Sequence, residues 1–324
     1  MLVCDICPRS CELAEGETGF CNVRKNVAGK NVDGLYGLFY PYPERYNDVA
    51  PGSYTIVFPG CNAKCSYCDV PFLSTGFNGD TSSWPGGAYR RLTPHEIVER
   101  VKAKAGAERA GFTCGLMGLF GGEAILHYEY VIEAGRMCRE AGCASKIHTN
   151  GFISEEILRK VLSVVDVISV NVKGSGSSAV YQGMGVDFDV VLHSIEVACK
   201  TQNVRVQVSD LIGPNLLPST EEAARFAQRL HDIAGSDIRV DIQAVGQPMD
   251  RFPDPWREGN APPPGDEDPW TPLLRLKKIA ETFAKNGLTN VWVIDYTLGK
   301  QRLVHVRDLK IVDAMLGERC RQSS

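Results

Sequence analysis

Cys61, Cys65 and Cys68 stand at C-x3-C-x2-C spacing directly after the apolar run Tyr54–Phe58. In a reducing compartment, thiols this close together are metal ligands more often than disulfide partners. Three thiolates leave one iron of a four-iron cubane, or one position of a tetrahedral ion, open to an outside ligand. An open position lets a metal centre do chemistry as well as hold structure. Four further cysteines, Cys4, Cys7, Cys11 and Cys21, follow C-x2-C-x3-C-x9-C among short Gly-rich connections. Four thiols make a closed site, for which structural zinc and a fully ligated iron–sulfur cluster are both open readings. The remaining five, Cys114, Cys138, Cys143, Cys199 and Cys320, sit in or beside apolar stretches and read mostly as packing groups.

From Tyr54 onward, short β-branched runs alternate with amphipathic stretches, the pattern of repeated βα units around a parallel sheet. Strands are expected at Tyr54–Phe58, Gly115–Phe120, Ser145–Thr149, Val165–Val172, Val204–Asp210 and Ile238–Val245. Thr93-Pro94-His95-Glu96, Ser154-Glu155-Glu156 and Ser219-Thr220-Glu221-Glu222 carry helix-start chemistry. Six units predict an α/β fold, a partial (βα)6 TIM-like barrel with a small N-terminal Cys-rich metal-binding segment. The triplet then lies at a strand's C-terminal end, where such folds keep their chemistry.

Three strands alternate polar with apolar residues: Ser169, Asn171 and Lys173 in the fourth, Arg205, Gln207 and Ser209 in the fifth, Arg239, Asp241 and Gln243 in the sixth. A period of two puts all nine on one face, which predicts a wet or ligand-filled lumen. The chain divides into a Cys-rich segment (1–50), a barrel core (51–247), an acidic loop or lid (248–272) and a C-terminal completion of the core (273–324). The lid holds eight of the 18 prolines. The last part contains a helix at 273–287 and a strand at Asn290–Tyr296.

The chain has 324 residues, 35 basic and 39 acidic, for a net charge of −4, so no basic field awaits a phosphate backbone. No apolar run approaches the roughly 20 residues that span a bilayer, and Met1 leads into Cys4 without a leader pattern. A cytoplasmic protein with neither nucleic-acid nor membrane partners is expected.

With Tyr67 before its last cysteine, the triplet resembles the signature of the radical S-adenosylmethionine (radical SAM) superfamily. Phe120-Gly121-Gly122-Glu123 resembles that family's Gly-Gly-Glu-Pro turn, with Ala124 in the proline's place. His148-Thr149-Asn150-Gly151-Phe152, Ser169-Val170-Asn171-Val172-Lys173-Gly174 and Leu211-Ile212-Gly213-Pro214-Asn215 resemble the branch of pyruvate formate-lyase activating enzyme and its uncharacterised relatives. Cys7-Pro8-Arg9-Ser10-Cys11 with Gly19-Phe20-Cys21 resembles a leader carried by some of those relatives. Asn171 replaces the branch's aspartate, and an amide takes no proton.

The resemblance implies a [4Fe–4S] cluster on Cys61, Cys65 and Cys68, and SAM cleaved reductively to a 5′-deoxyadenosyl radical. It implies that Gly121, Gly122, Glu123 and Lys173 hold the methionine end, with Asn150 and Asn171 near the ribose or carboxylate. Tyr67, His148, Arg205, Gln207 and Gln243 are further cofactor contacts, and Arg239 and Asp241 join them as polar contacts to SAM or substrate. Flavodoxin or ferredoxin is the implied reductant. The expected substrate is a small polar metabolite or a peptide; the alternative is a glycyl-radical enzyme, activated by this chain. A non-catalytic iron–sulfur or zinc scaffold is a third reading, and it would need neither the open triplet nor Gly-Gly-Glu.

Overall fold

The computed structural model describes residues 1–41, 53–65, 68, 73–74, 90–104, 116–213, 216–244, 271–295 and 302–310. Its strands are β1 (Leu2–Val3), β2 (Glu12–Leu13), β3 (Arg24–Val27), β4 (Lys30–Asp33), β5 (Leu38–Pro41), β6 (Ser53–Phe58), β7 (Arg90–Arg91), β8 (Leu116–Gly121), β9 (Ala144–Thr149), β10 (Val167–Lys173), β11 (Arg205–Ile212), β12 (Arg239–Ala244), β13 (Val291–Asp295) and β14 (Arg302–His305). The helices are α1 (Pro94–Lys104), α2 (Tyr128–Glu140), α3 (Glu155–Leu162), α4 (Ser178–Met184), α5 (Phe188–Cys199), α6 (Thr220–Ala234) and α7 (Thr271–Lys285). All six expected strands are present, with ends shifted by one or two residues, and the alternation of strand and helix is that of an α/β fold.

The chain forms two compact units, Met1–Val170 with Gly185–Val206, and Asn171–Met184 with Gln207–Ser324. In the first, β6, β8, β9 and β10 pair in parallel in that order, and β5 lies antiparallel between β6 and the short β7. In the second, β11, β12 and β13 are parallel and β14 pairs antiparallel with β13. Helix α7 begins at Thr271, two residues before the expected start, because Pro272 sits in the first turn, where a missing N–H costs nothing. Thr271 and Pro272 are the described part of the expected 248–272 loop.

Local chemistry sets the helix starts. Thr93 and Glu96 cap α1 reciprocally, at 2.8 and 3.3 Å, and Ser219 and Glu222 do the same for α6 at 2.8 and 3.1 Å. Ser154 departs from the expectation: its hydroxyl makes no cap bond, while its N–H donates to the Ile6 carbonyl at 3.0 Å, tying the N-terminal segment to α3.

The N-terminal segment is two small hairpins, β1–β2 and β3–β4, the second turning at Ala28 and Gly29, both with positive φ. Neither has a core of its own. Arg24, 1% exposed, docks the second hairpin on α2: it grips Glu129 bidentately at 2.7 and 2.8 Å and donates to Asn31 and to the Leu126 carbonyl. Phe39, Phe58 and Tyr130 pack edge to face beside it. In the second unit, Phe226 and Phe283 join α6 to α7 in the same way. Arg24→Ala would leave these carbonyl and amide acceptors without their donor; because Glu129 keeps some water, the loss is expected at about 2–4 kcal/mol, read as a lower urea midpoint.

Candidate active site

Strand β6 runs into Pro59-Gly60-Cys61, and the end of β8 folds onto it. The Gly122 N–H donates to the Phe58 carbonyl at 3.0 Å and the Glu123 N–H to the Gly60 carbonyl at 2.8 Å. A Cβ on Gly121, whose φ is +136°, would lie 2.2 Å from the Phe58 oxygen, and one on Gly122 would lie 2.1 Å from the Gly60 oxygen. These glycines allow the close approach of the β8 turn to the cysteine loop.

This approach sets Glu123 beside Cys61. The Glu123 carboxylate is buried and accepts the N–H of Ile125 at 3.1 Å and of Asn150 at 2.7 Å. The Asn150 amide then donates to the Asn62 side chain at 2.8 Å and lies 3.7 Å from the Cys61 sulfur. Burial pushes the Cys61 thiol well above its ordinary value, and Glu123, Cys65 and Cys68 add to the shift. The Cys68 sulfur sits 3.2 Å from the Ser74 hydroxyl; Tyr67 lies outside the described residues.

A buried thiolate beside a buried carboxylate needs positive charge between them. Three such thiols fit an iron–sulfur cluster that keeps one iron open. Among the described residues, no three Cys, His, Asp or Glu side chains are placed to hold a single metal ion.

The N-terminal cysteines gather in the same unit. Cys4, Cys7 and Cys21 are buried and Cys11 is half-buried. Their sulfurs receive N–H donors: the Asn31 amide at 3.3 Å on Cys4, the Arg24 main chain at 3.5 Å on Cys21, and the Asn62 side chain on Cys7. Burial raises the Cys7 thiol and pushes Cys21 up to about 11.

The same segment braces the triplet's loop. Arg9 donates to the Asn62 carbonyl at 2.6 Å and lies over the Phe20 ring at 3.7 Å. At Gly60 (φ +83°) a Cβ would meet Val23 at 2.2 Å and the Cys21 carbonyl at 2.6 Å. His127, buried and stacked on Phe58, reaches Asp33 at 2.8 Å and the Pro59 carbonyl at 2.9 Å. It is a satisfied core histidine.

In the second unit, the buried Lys173 donates its Nζ to the Asn171 carbonyl at 3.2 Å and its N–H to the Tyr181 hydroxyl at 3.2 Å. Gly174, Ser175 and Gly176 follow with three consecutive positive φ angles of 53°, 47° and 74°. For Ser175 that conformation is strained. Asp210 holds it, accepting the Ser175 N–H at 2.9 Å and hydroxyl at 2.6 Å. Burial pushes the Asp210 carboxyl up to about 6, against the Ser175 bonds and the Lys173 charge. Sequence reasoning missed Asp210. It sits on the apolar parity of β11 with Val204, Val206 and Val208, and a carboxyl on a buried parity was the available signal.

Of the expected polar contacts, Gln207 and Arg239 both bond to Asp241, the latter at 3.0 Å, and Arg239 also covers the Trp292 ring. Asn171 and Gln243 are half-buried, and Arg205 is exposed. His148 lies on β9 opposite Ser169, whose buried hydroxyl has no hydrogen-bond partner among the described residues. Cys138 packs as expected, whereas Cys143 is disulfide-bonded; Cys114 and Cys320 lie outside the described residues. A cavity of about 360 Å³ lined by Arg139, Asp166 and Asn203 lies at the entry end of β10.

Two substitutions test this geometry. Gly122→Ala, whose strain is of order 1–3 kcal/mol, is expected to lower iron bound per chain on anaerobic reconstitution while the circular dichroism spectrum is kept. Asp210 is protonated more readily folded than unfolded, so its contribution is full below about pH 4 and lost as pH rises through about 6. Asp210→Asn should remove that component, of order 2–3 kcal/mol, from the pH dependence of the urea midpoint.

Residues 55–247 match the family model described as Radical SAM superfamily. An uncharacterised protein of Methanocaldococcus jannaschii is 26% identical over 307 residues, covering 90% of this chain and 80% of its own. The pyruvate formate-lyase-activating enzyme of Clostridium pasteurianum is 30% identical over 189 residues, 56% of this chain and 71% of that enzyme. A radical SAM methyltransferase from Sphaerobacter thermophilus matches in fold, with a TM-score of 0.51 at 15% identity over 75% of this chain and 66% of that one. The family match spans the strand that delivers the cysteine triplet, the Gly-Gly-Glu turn locked onto it and the strands that follow, so the chain belongs to the radical SAM superfamily.

Proposed function

We propose that this radical SAM enzyme abstracts hydrogen from a small polar metabolite or a peptide. The observation that carries the reading is the locked group of Cys61, Glu123, Asn150 and Asn62 around a buried thiol. Cys61, Cys65 and Cys68 would hold a [4Fe–4S] cluster, which with SAM supplies a 5′-deoxyadenosyl radical once reduced by a flavodoxin or ferredoxin.

The chain's own residues do the positioning. Glu123 is fixed by the N–H groups of Ile125 and Asn150 beside Cys61, where its negative charge suits the SAM ammonium. Asn150 keeps its side chain between Cys61 and Asn62 and so orients what binds beside the cysteine. Lys173, on a turn held by Asp210, offers a cation for the SAM carboxylate. Gly121, Gly122, Tyr67, His148, Arg205, Gln207 and Gln243 complete the proposed cofactor contacts. The Asp241 network with Gln207 and Arg239 suits a polar substrate. Asn171 bars that position from proton transfer. In this reading Cys4, Cys7, Cys11 and Cys21 form a second metal site.

A second reading, activation of a glycyl-radical enzyme, is favoured by the relative named as a pyruvate formate-lyase-activating enzyme. One experiment separates the two. With dithionite and SAM, deuterium from a labelled small molecule or peptide should appear in 5′-deoxyadenosine. Absence of transfer from every such candidate, together with a glycyl-radical EPR signal on a co-purified protein, would replace the first reading by the second.

A further inference from the structure

We propose that Cys4, Cys7, Cys11 and Cys21 hold an iron–sulfur cluster that passes one electron to the Cys61–Cys65–Cys68 site, with Asn62 as the bridge. This rests on the radical SAM reading of the triplet and adds a route for its reductant.

Three observations carry it. The sulfurs of Cys4, Cys7 and Cys21 each receive an N–H donor. Such donors are weakly used by neutral thiols but strengthen on thiolates, and they tune iron–sulfur potentials. The four cysteines also lie in one compact unit, with Cys4, Cys7 and Cys21 buried and Cys11 half-buried. Finally, the two sites are joined through one residue. The Asn62 side chain bonds to Cys7 and to Asn150, its carbonyl is held by Arg9, and its main chain continues into Cys61. The Cys21 carbonyl lies against Gly60 on the other side of the same loop. A zinc staple would stabilise its hairpins wherever they lay; this one is built onto the catalytic loop. Cys11, the least buried of the four, gives the donor its way in.

The electron count closes simply. A low-potential one-electron protein of the flavodoxin or ferredoxin class is oxidised by one electron, the four-cysteine site is reduced and reoxidised, and the triplet site gains the electron. No bond or proton changes.

The test uses the full chain, reconstituted anaerobically. Metal analysis should give about eight irons per chain and no zinc, and dithionite should produce two EPR signals broadened by mutual coupling. About four irons with one zinc, or two uncoupled signals, would overturn the proposal. In a Cys7→Ala/Cys11→Ala variant, about four irons should remain. The triplet's EPR signal should then appear with dithionite and be lost with reduced flavodoxin; an equal signal from flavodoxin would also overturn it. SAM should perturb the triplet's signal in both proteins. Failure of that perturbation alone would count against the radical SAM reading and leave the relay standing.

Discussion

Everything in the catalytic unit depends on burying Cys61 beside Glu123. Two groups that must both be negative to act are held in a region where burial already pushes the thiol well up. The arrangement becomes favourable when a cationic group sits among them, and so the protein's own packing favours positive charge at this point. The strand ends can close this far because residues 121 and 122 lack a Cβ; any side chain there would displace the carbonyls of Phe58 or Gly60.

That closure needs bracing, and the N-terminal segment supplies it. Two hairpins too small for a core of their own are pinned by Arg24 to α2 and by Arg9 to the cysteine loop. The loop is approached again through the His127–Asp33 pair and through Val23 against Gly60. A segment that sequence alone marks as a separate metal-binding module is thus part of the catalytic loop's support. Its Cys7 and Arg9 and the Cys61 loop share one partner, Asn62.

Much of this was legible in the sequence. Period-two alternation and capping chemistry placed the strands and most helix starts to within two residues, since both are local signals. The triplet and Gly-Gly-Glu were legible as motifs. The contacts that make them work were not, because they link residues distant in the chain. Asn62 is an unspecified position within C-x3-C, yet it joins Cys7, Phe152 and Asn150. Asp210 hides on an apolar parity and makes sense only once Ser175 is seen in a left-handed turn. Arg239, Asp241 and Gln207, expected to face a ligand, satisfy one another. Alternation tells which residues share a face, and it does not tell which of them pair there.

The central claim is that the Cys61 loop, closed by Gly121 and Gly122 against Glu123, holds a centre that cleaves SAM. The most direct measurement is 5′-deoxyadenosine formed from SAM and dithionite by the anaerobically reconstituted protein and by its Cys65→Ala variant. Product from the wild type and none from the variant is the expected result. Equal product from both, or none from a wild type that binds iron at the triplet, would contradict it.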